Sequence, residues 1–228
     1  MGWGKVLFIG GLALGAGVGL AALASGGAAA TALPSAPPWI SWPAQYRRRP
    51  KDPKRPSSAL ERAIYAAAGG DLVLARLLFA LSRREAGFEL RNRGQAHGDP
   101  TQPGAHQRYV NGYLRDKDKL IPGSSITWGQ KFRPIDWGPY GALQLNPYYI
   151  WGIVVPASAP LTAAYDPDVI AQAAARVLRL WRSKTTSYER ALYKYWNTEK
   201  GWLEDVVANY LDLGGARAEI ADPPAAVA

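Results

Sequence analysis

The chain has 228 residues, 48% of them hydrophobic and 11% aromatic, which excludes a disordered polymer and allows one domain with a sizeable core plus an appendage. It lacks cysteine, so disulfides and thiolate metal sites are excluded, and its formal charge of +9 points to a polyanionic neighbour such as nucleic acid, anionic lipid or an acidic wall polymer. Nine Trp and twelve Tyr are many for this length. Exposed aromatics stack on sugars or line interfaces, but most aromatics in a folded chain belong to its core.

The first 30 residues read as a membrane segment. Lys5 is followed by an apolar run from Val6 to Ala24, roughly the ~20 residues that cross a bilayer as a helix. Gly11, Gly15 and Gly19 recur every fourth residue, a spacing suited to close helix–helix packing in lipid, and so favour a retained anchor through residues 6–24. A signal peptide cleaved after Ala22-Leu23-Ala24 is the alternative.

Residues 31–56 read as a Pro-rich linker, "LPSAPPWISWPAQYRRRPKDPKRP" from Leu33 to Pro56. Its basic cluster, residues 47–55, is either a solvated connector or a patch for anionic lipid or nucleic acid, without specific nucleic-acid recognition. Positive charge following a span tends to stay on the cytoplasmic side, although this cluster lies beyond the range where that tendency is strong.

A mainly helical domain is expected over residues 57–215, with a tail at 216–228. Ser58 and Glu61 have capping-box spacing ahead of "ALERAIYAAAGG", which closes on Gly69-Gly70. Asp71 caps "DLVLARLLFALSRREAGF", an almost wholly apolar helix with Glu85 at its end. Residues 91–136 are polar and rich in Gly, Pro and Asp, a long loop or small lobe with one helix near Tyr109–Leu120. A helix follows "GPYGALQLNPYYIWGIVV", and Asp166-Pro167-Asp168 is a strong start for it. Val169, Ala173, Val177, Leu180 and Trp181 give that helix an apolar stripe. Ser187 caps "YERALYKYW", and a last helix runs from about Gly201 to Leu213. No strand pattern stands out.

Two stretches carry chemistry. Helical steps place Leu74, Leu78, Leu81 and Ser82 on one face with Glu85. A carboxyl at the rim of such a face loses solvation, which favours its protonated form and suits a general acid. In "GPYGALQLNP", Gly138 and Gly141 allow close backbone approach, and Gln144 between Leu143 and Leu145 offers both a donor and an acceptor. His97, Asp99 and His106 form a third cluster, a zinc-site candidate whose spacing matches no familiar signature and which otherwise reads as a polar loop.

Taken in order, "EAGF", "GALQLNP", "YDPDVIAQAAARVLRLW" and "YKYWN" resemble the motif series of the lysozyme-like superfamily, specifically lytic transglycosylases and goose-type lysozymes. The matched stretches span Asp71 to Asn197. The departures are Ala86 in place of the motif serine, Trp196 or Tyr195 for its tyrosine, no Ala-Gly after Asn197, and the insertion at 91–136. The resemblance implies an α+β lysozyme-like fold dominated by helices, without cofactor or metal. It further implies cleavage of the β-1,4 bond between N-acetylmuramic acid and N-acetylglucosamine in peptidoglycan. Glu85 is the implied general acid and base, with Phe88, Gly141, Gln144, Tyr195, Trp196 and Asn197 around the glycan. A goose-type hydrolase would need a second acid, for which Asp99, Asp116, Asp118 and Asp136 are available. A glycan-binding module without activity is the remaining reading. Peptidoglycan as partner implies an envelope location facing the wall, secretion, or a phage virion.

Overall fold

A computed structural model of the protein describes residues 40, 42, 55–196 and 200–222; the side chains of residues 194–200 lie outside the described set. The expected span at residues 6–24, the basic cluster at 47–54 and the end of the tail also lie outside it. Among the described residues no helix is long and apolar enough to cross a membrane.

The domain is mainly helical. Its elements are α1 (Ser58–Ala68), α2 (Leu72–Ala86), α3 (Gln107–Asp116), α4 (Trp128–Lys131), α5 (Pro167–Arg182), α6 (Tyr188–Trp196), α7 (Lys200–Asp212) and α8 (Arg217–Ile220). Among the described residues there is no strand, only isolated bridges.

Helix α2 is the axis of the fold. Asp71 accepts from the Leu74 amide at 2.9 Å and so starts it as expected. Leu74, Leu77, Leu78, Phe79, Ala80 and Leu81 are all buried, so apolar side chains leave it in every direction. Such a helix must be covered on all sides. Helices α1, α5 and α7 pack around it.

The covering helices are amphipathic. In α1, Leu60, Ala63, Ile64, Ala67 and Ala68 form one buried stripe. Its cap is Ser57, which accepts from the Leu60 amide, so the expected Ser58–Glu61 capping box is displaced by one residue. Gly69 ends α1 at φ 62°, and Arg179 of α5 donates to the freed Ala68 carbonyl at 2.7 Å. Asp166 caps α5 by accepting from the Asp168 and Val169 amides. The buried stripe of α5 runs through Ile170, Ala173, Ala174, Val177 and Leu178. Leu180, expected within it, is 47% exposed; starting the stripe one residue later rotates it by about 100° and leaves Leu180 on the wet side. Ser187 caps α6 as expected, accepting from the Arg190 amide.

One expectation about connecting segments is corrected, and another is decided between its alternatives. Ile40 and Trp42, assigned to the linker, pack on the core: Ile40 is 7% exposed, and Trp42 meets Phe79 and Phe88 edge-to-face at 5.1 and 6.0 Å. Of the two readings of 91–136, a long loop or a small lobe, the structure has the lobe, with a helix at Gln107–Asp116 close to the one expected. It contributes α3, α4 and, with the chain that follows, an aromatic cluster in which Trp128, Phe132, Trp137, Tyr148 and Trp151 meet edge-on at centroid distances such as 4.9 Å for Phe132–Trp151 and 5.0 Å for Trp137–Tyr148.

The end of α3 is fastened by a carboxylate. Asp116, buried, accepts from Arg115 and from Lys119 at 2.8 Å, and Arg115 also donates to the Tyr148 hydroxyl at 3.0 Å. Burial works to raise the Asp116 pKa, but the hydrogen bonds from these two cations outweigh it and hold the carboxyl below its ordinary 3.8. The stability it contributes is therefore present above that ordinary value and lost as pH falls through the depressed one. Asp116→Asn should lower unfolding free energy by about 1–3 kcal/mol at neutral pH. Urea denaturation from pH 7 to pH 2 is expected to show the gap between the two proteins closing at the acid end.

Candidate functional site

The site begins where α2 stops. Glu85 stands in the last turn, half-buried, and Ala86 is the final helical residue. Gly87 at φ 57° and Phe88 at φ 69° follow in the left-handed region, with their amides bonded back to the Arg83 and Ser82 carbonyls at 3.2 Å. Two consecutive left-handed residues turn the chain sharply off the helix axis. For Phe88 this costs roughly 1–2 kcal/mol, offset by burial of its ring against Trp42. Phe88, expected beside the glycan, is thus a core residue that shapes the exit of α2.

The chain then meets residues 139–145. The Gly94 amide donates to the Pro139 carbonyl, the Gly141 amide donates to the Asn92 carbonyl, and Tyr140 and Leu145 exchange two bonds of 2.9 Å. Arg93 lies over the Tyr140 ring at 4.2 Å and donates to the Ile135 carbonyl. Gly141 is buried at φ 71°, and a Cβ there would sit 2.5 Å from the Ala164 carbonyl oxygen. It permits close packing under α5 and does not touch the cleft, contrary to its expected ligand contact.

This turn brings Gln144 to the open cleft that Glu85 lines. Tyr109 and Arg108 of α3 flank it, and Asn146 and Tyr149 complete the side begun by Gln144. Gln144 is itself left-handed at φ 48°, and its amide group donates to the Gly141 carbonyl at 2.8 Å and the Asn92 carbonyl at 3.2 Å. Both donors are therefore engaged by backbone. The expected donor role toward a sugar is not available in this arrangement, which leaves an acceptor and a rigid wall.

Helix α7 supplies a direct partner of Glu85. The indole Nε1–H of Trp202, buried near the start of α7, donates to Glu85 Oε1. Burial raises the Tyr109 phenol, Arg108 lowers it, and the charge of Glu85 raises it again. Burial also raises Tyr149, opposed by Arg108.

The four candidate second acids stand elsewhere. Asp116 is held by Arg115 and Lys119, Asp118 by Lys117, and Asp136 by Arg133 at 2.6 Å. Asp99 accepts from the amide and hydroxyl of Thr101. Glu85 is the one acid lining the cleft among the described residues. Tyr195 and Trp196 end α6, but their side chains, with the whole of Asn197, lie outside the described residues.

The histidine cluster is used for loop folding. His97 Nε2 bonds the Pro103 carbonyl at 2.9 Å while Nδ1 accepts from the Asp99 amide. His106 caps α3 through the Arg108 amide. Among the described residues no group of three His, Asp or Glu side chains could hold a metal.

Sequence reasoning missed Tyr109, Arg108, Tyr149 and Trp202. Asn146 and Tyr149 directly follow Gln144, a proximity that could have flagged them; Trp202 is 117 residues from Glu85 and carries no local sign of its partner.

Gly141→Ala adds a Cβ against a carbonyl in a conformation hostile to side chains, and should cost about 2–4 kcal/mol. Gly123→Ala, at φ 74° with nothing within 4 Å, should cost about 1 kcal/mol. Urea melts of the two variants would check this ordering.

No protein-family model matches the chain, and no curated protein or solved structure matches it either.

Proposed function

We propose that the protein is a peptidoglycan lytic transglycosylase with a lysozyme-like arrangement of helices, cleaving the β-1,4 bond between N-acetylmuramic acid and N-acetylglucosamine. The observation that carries this reading is a lone carboxyl, Glu85, at the end of a buried helix and at the edge of an open cleft that holds no second acid among the described residues. Its support from the chain is the order of "EAGF" and "GALQLNP", whose Glu85 and Gln144 share that cleft.

The chemistry uses one group twice. Protonated Glu85 gives its proton to the glycosidic oxygen, the bond from that oxygen to the muramyl C1 breaks, and the N-acetylglucosamine side leaves as an alcohol. Positive charge grows at C1. The carboxylate then takes the proton of the muramyl 6-hydroxyl, whose oxygen closes on C1 to give a 1,6-anhydro ring. Glu85 ends protonated, and no water is consumed. A goose-type hydrolase needs a second carboxylate to position water, and Asp99, Asp116, Asp118 and Asp136 are engaged away from the cleft.

The substrate places the domain in an envelope, held by residues 6–24 as an anchor, or in a virion that must breach a wall. Protease shaving of intact cells or particles would show which face carries residues 57–228.

Glu85→Gln keeps shape but cannot donate a proton. Release of muropeptides from purified sacculi should fall by about 10²–10⁴-fold while sacculus binding persists. Mass spectrometry should show wild-type products ending in anhydro sugars, lighter by one water than reducing ends. Equal release by both proteins overturns the assignment.

A further inference from the structure

We infer that Asn146 sets the specificity of the cleft, its carboxamide nitrogen donating to the carbonyl of a sugar's acetamido group. This rests on the reading of the cleft as a glycan site and names the group it takes.

Asn146 has a fixed backbone and an uncommitted side chain. Leu145 before it exchanges two bonds of 2.9 Å with Tyr140. Pro147 after it opens the short turn Pro147–Tyr149, and the Tyr149 amide donates to the Asn146 carbonyl at 3.1 Å. Proline confines the residue before it to extended backbone, and Asn146 sits there at φ −69° and ψ 151°. In that place an asparagine side chain characteristically bends back onto the amides of the turn that follows. Here it makes no such bond, and among the described residues no group bonds its carboxamide. Asn146 is half-buried and lines the cleft with Gln144.

The two carboxamides are therefore not equivalent. The nitrogen of Gln144 is spent on the Gly141 and Asn92 carbonyls at 2.8 and 3.2 Å, whereas the N–H groups of Asn146 remain for a ligand. The side chain is short and its backbone pinned, so little freedom is lost on binding. A 2-acetamido sugar carries an amide carbonyl for this donor and a methyl that needs apolar surface. Pro139, Leu145 and Tyr109 add such surface to the lining. A glucose unit has only a hydroxyl at C2, shorter by the whole acetyl group, and leaves the donor without its acceptor. Arg108 and the tyrosines add further donors to the cleft, so the variants must separate Asn146 from them.

The test uses the full chain and two β-1,4 tetramers, one of N-acetylglucosamine and one of glucose. Calorimetry should show the wild type binding the acetamido tetramer about tenfold tighter. Asn146→Ala should weaken that ligand about three- to tenfold and the glucose tetramer less than about twofold. Asn146→Asp keeps the size and an acceptor but has no donor, and should lose as much as Asn146→Ala. Both variants keep the backbone bonds of residue 146, and unchanged urea midpoints should show them folded. In ¹⁵N spectra of the wild type the Asn146 side-chain pair, assigned by triple-resonance methods, should shift with the acetamido tetramer and stay in place with the glucose tetramer. No preference in the wild type, equal weakening of both tetramers, full binding by Asn146→Asp, or a side-chain pair unmoved by ligand each overturns the role. Should the wild type keep the preference but release no anhydro muropeptides from sacculi, the transglycosylase reading fails and the acetamido site stands. Should it release them while Asn146→Ala keeps the preference, the site fails alone.

Discussion

The fold depends on the burial of α2. A helix with apolar side chains on every face gains its stability only when neighbours remove all of that surface from water, and α1, α5 and α7 exist in their observed places to do so. That constraint also explains the site. The axis must end somewhere, and the polar group at its end inherits a rigid platform and partial desolvation at once. Glu85 is held by a helix that cannot shift without opening the core.

The second constraint is how the chain leaves that helix. Gly87 and Phe88 turn it back sharply, the 92–94 segment pairs with 139–145, and Gln144 reaches the cleft that Glu85 lines. The aromatic lobe from α3 to Trp151 then stiffens the far wall. Each step is a backbone decision made by glycines or by buried rings, so the cleft is shaped largely by residues that do not line it.

What the sequence made legible was local. Asp71, Asp166 and Ser187 announce their helices because a cap bonds to amides two or three residues away. The end of α2 at Glu85 was readable from an apolar run closed by glycine. Registers were less so: two adjacent serines let the cap of α1 slip by one position, and a stripe begun at Val169 instead of Ile170 put Leu180 on the wrong side. Contacts over long separation were silent. Nothing around Trp202 marks it as a partner of Glu85, nothing in a Pro-rich segment marks Trp42 as a core residue, and Phe88 and Gly141 looked like ligand contacts because they neighbour the chemistry in sequence rather than in space.

Phe88 and Gln144 are the two residues other than glycine with positive φ among those described: the first turns the chain off α2 just past Glu85, and the second lines the cleft. Glycine at either position would relax the backbone, so among the described residues this tension is concentrated around the candidate site. At Phe88 the buried ring outweighs that gain, so the core itself keeps the strained residue, whereas at half-buried Gln144 a variant selected for heat tolerance alone could harden the turn and blunt the cleft together.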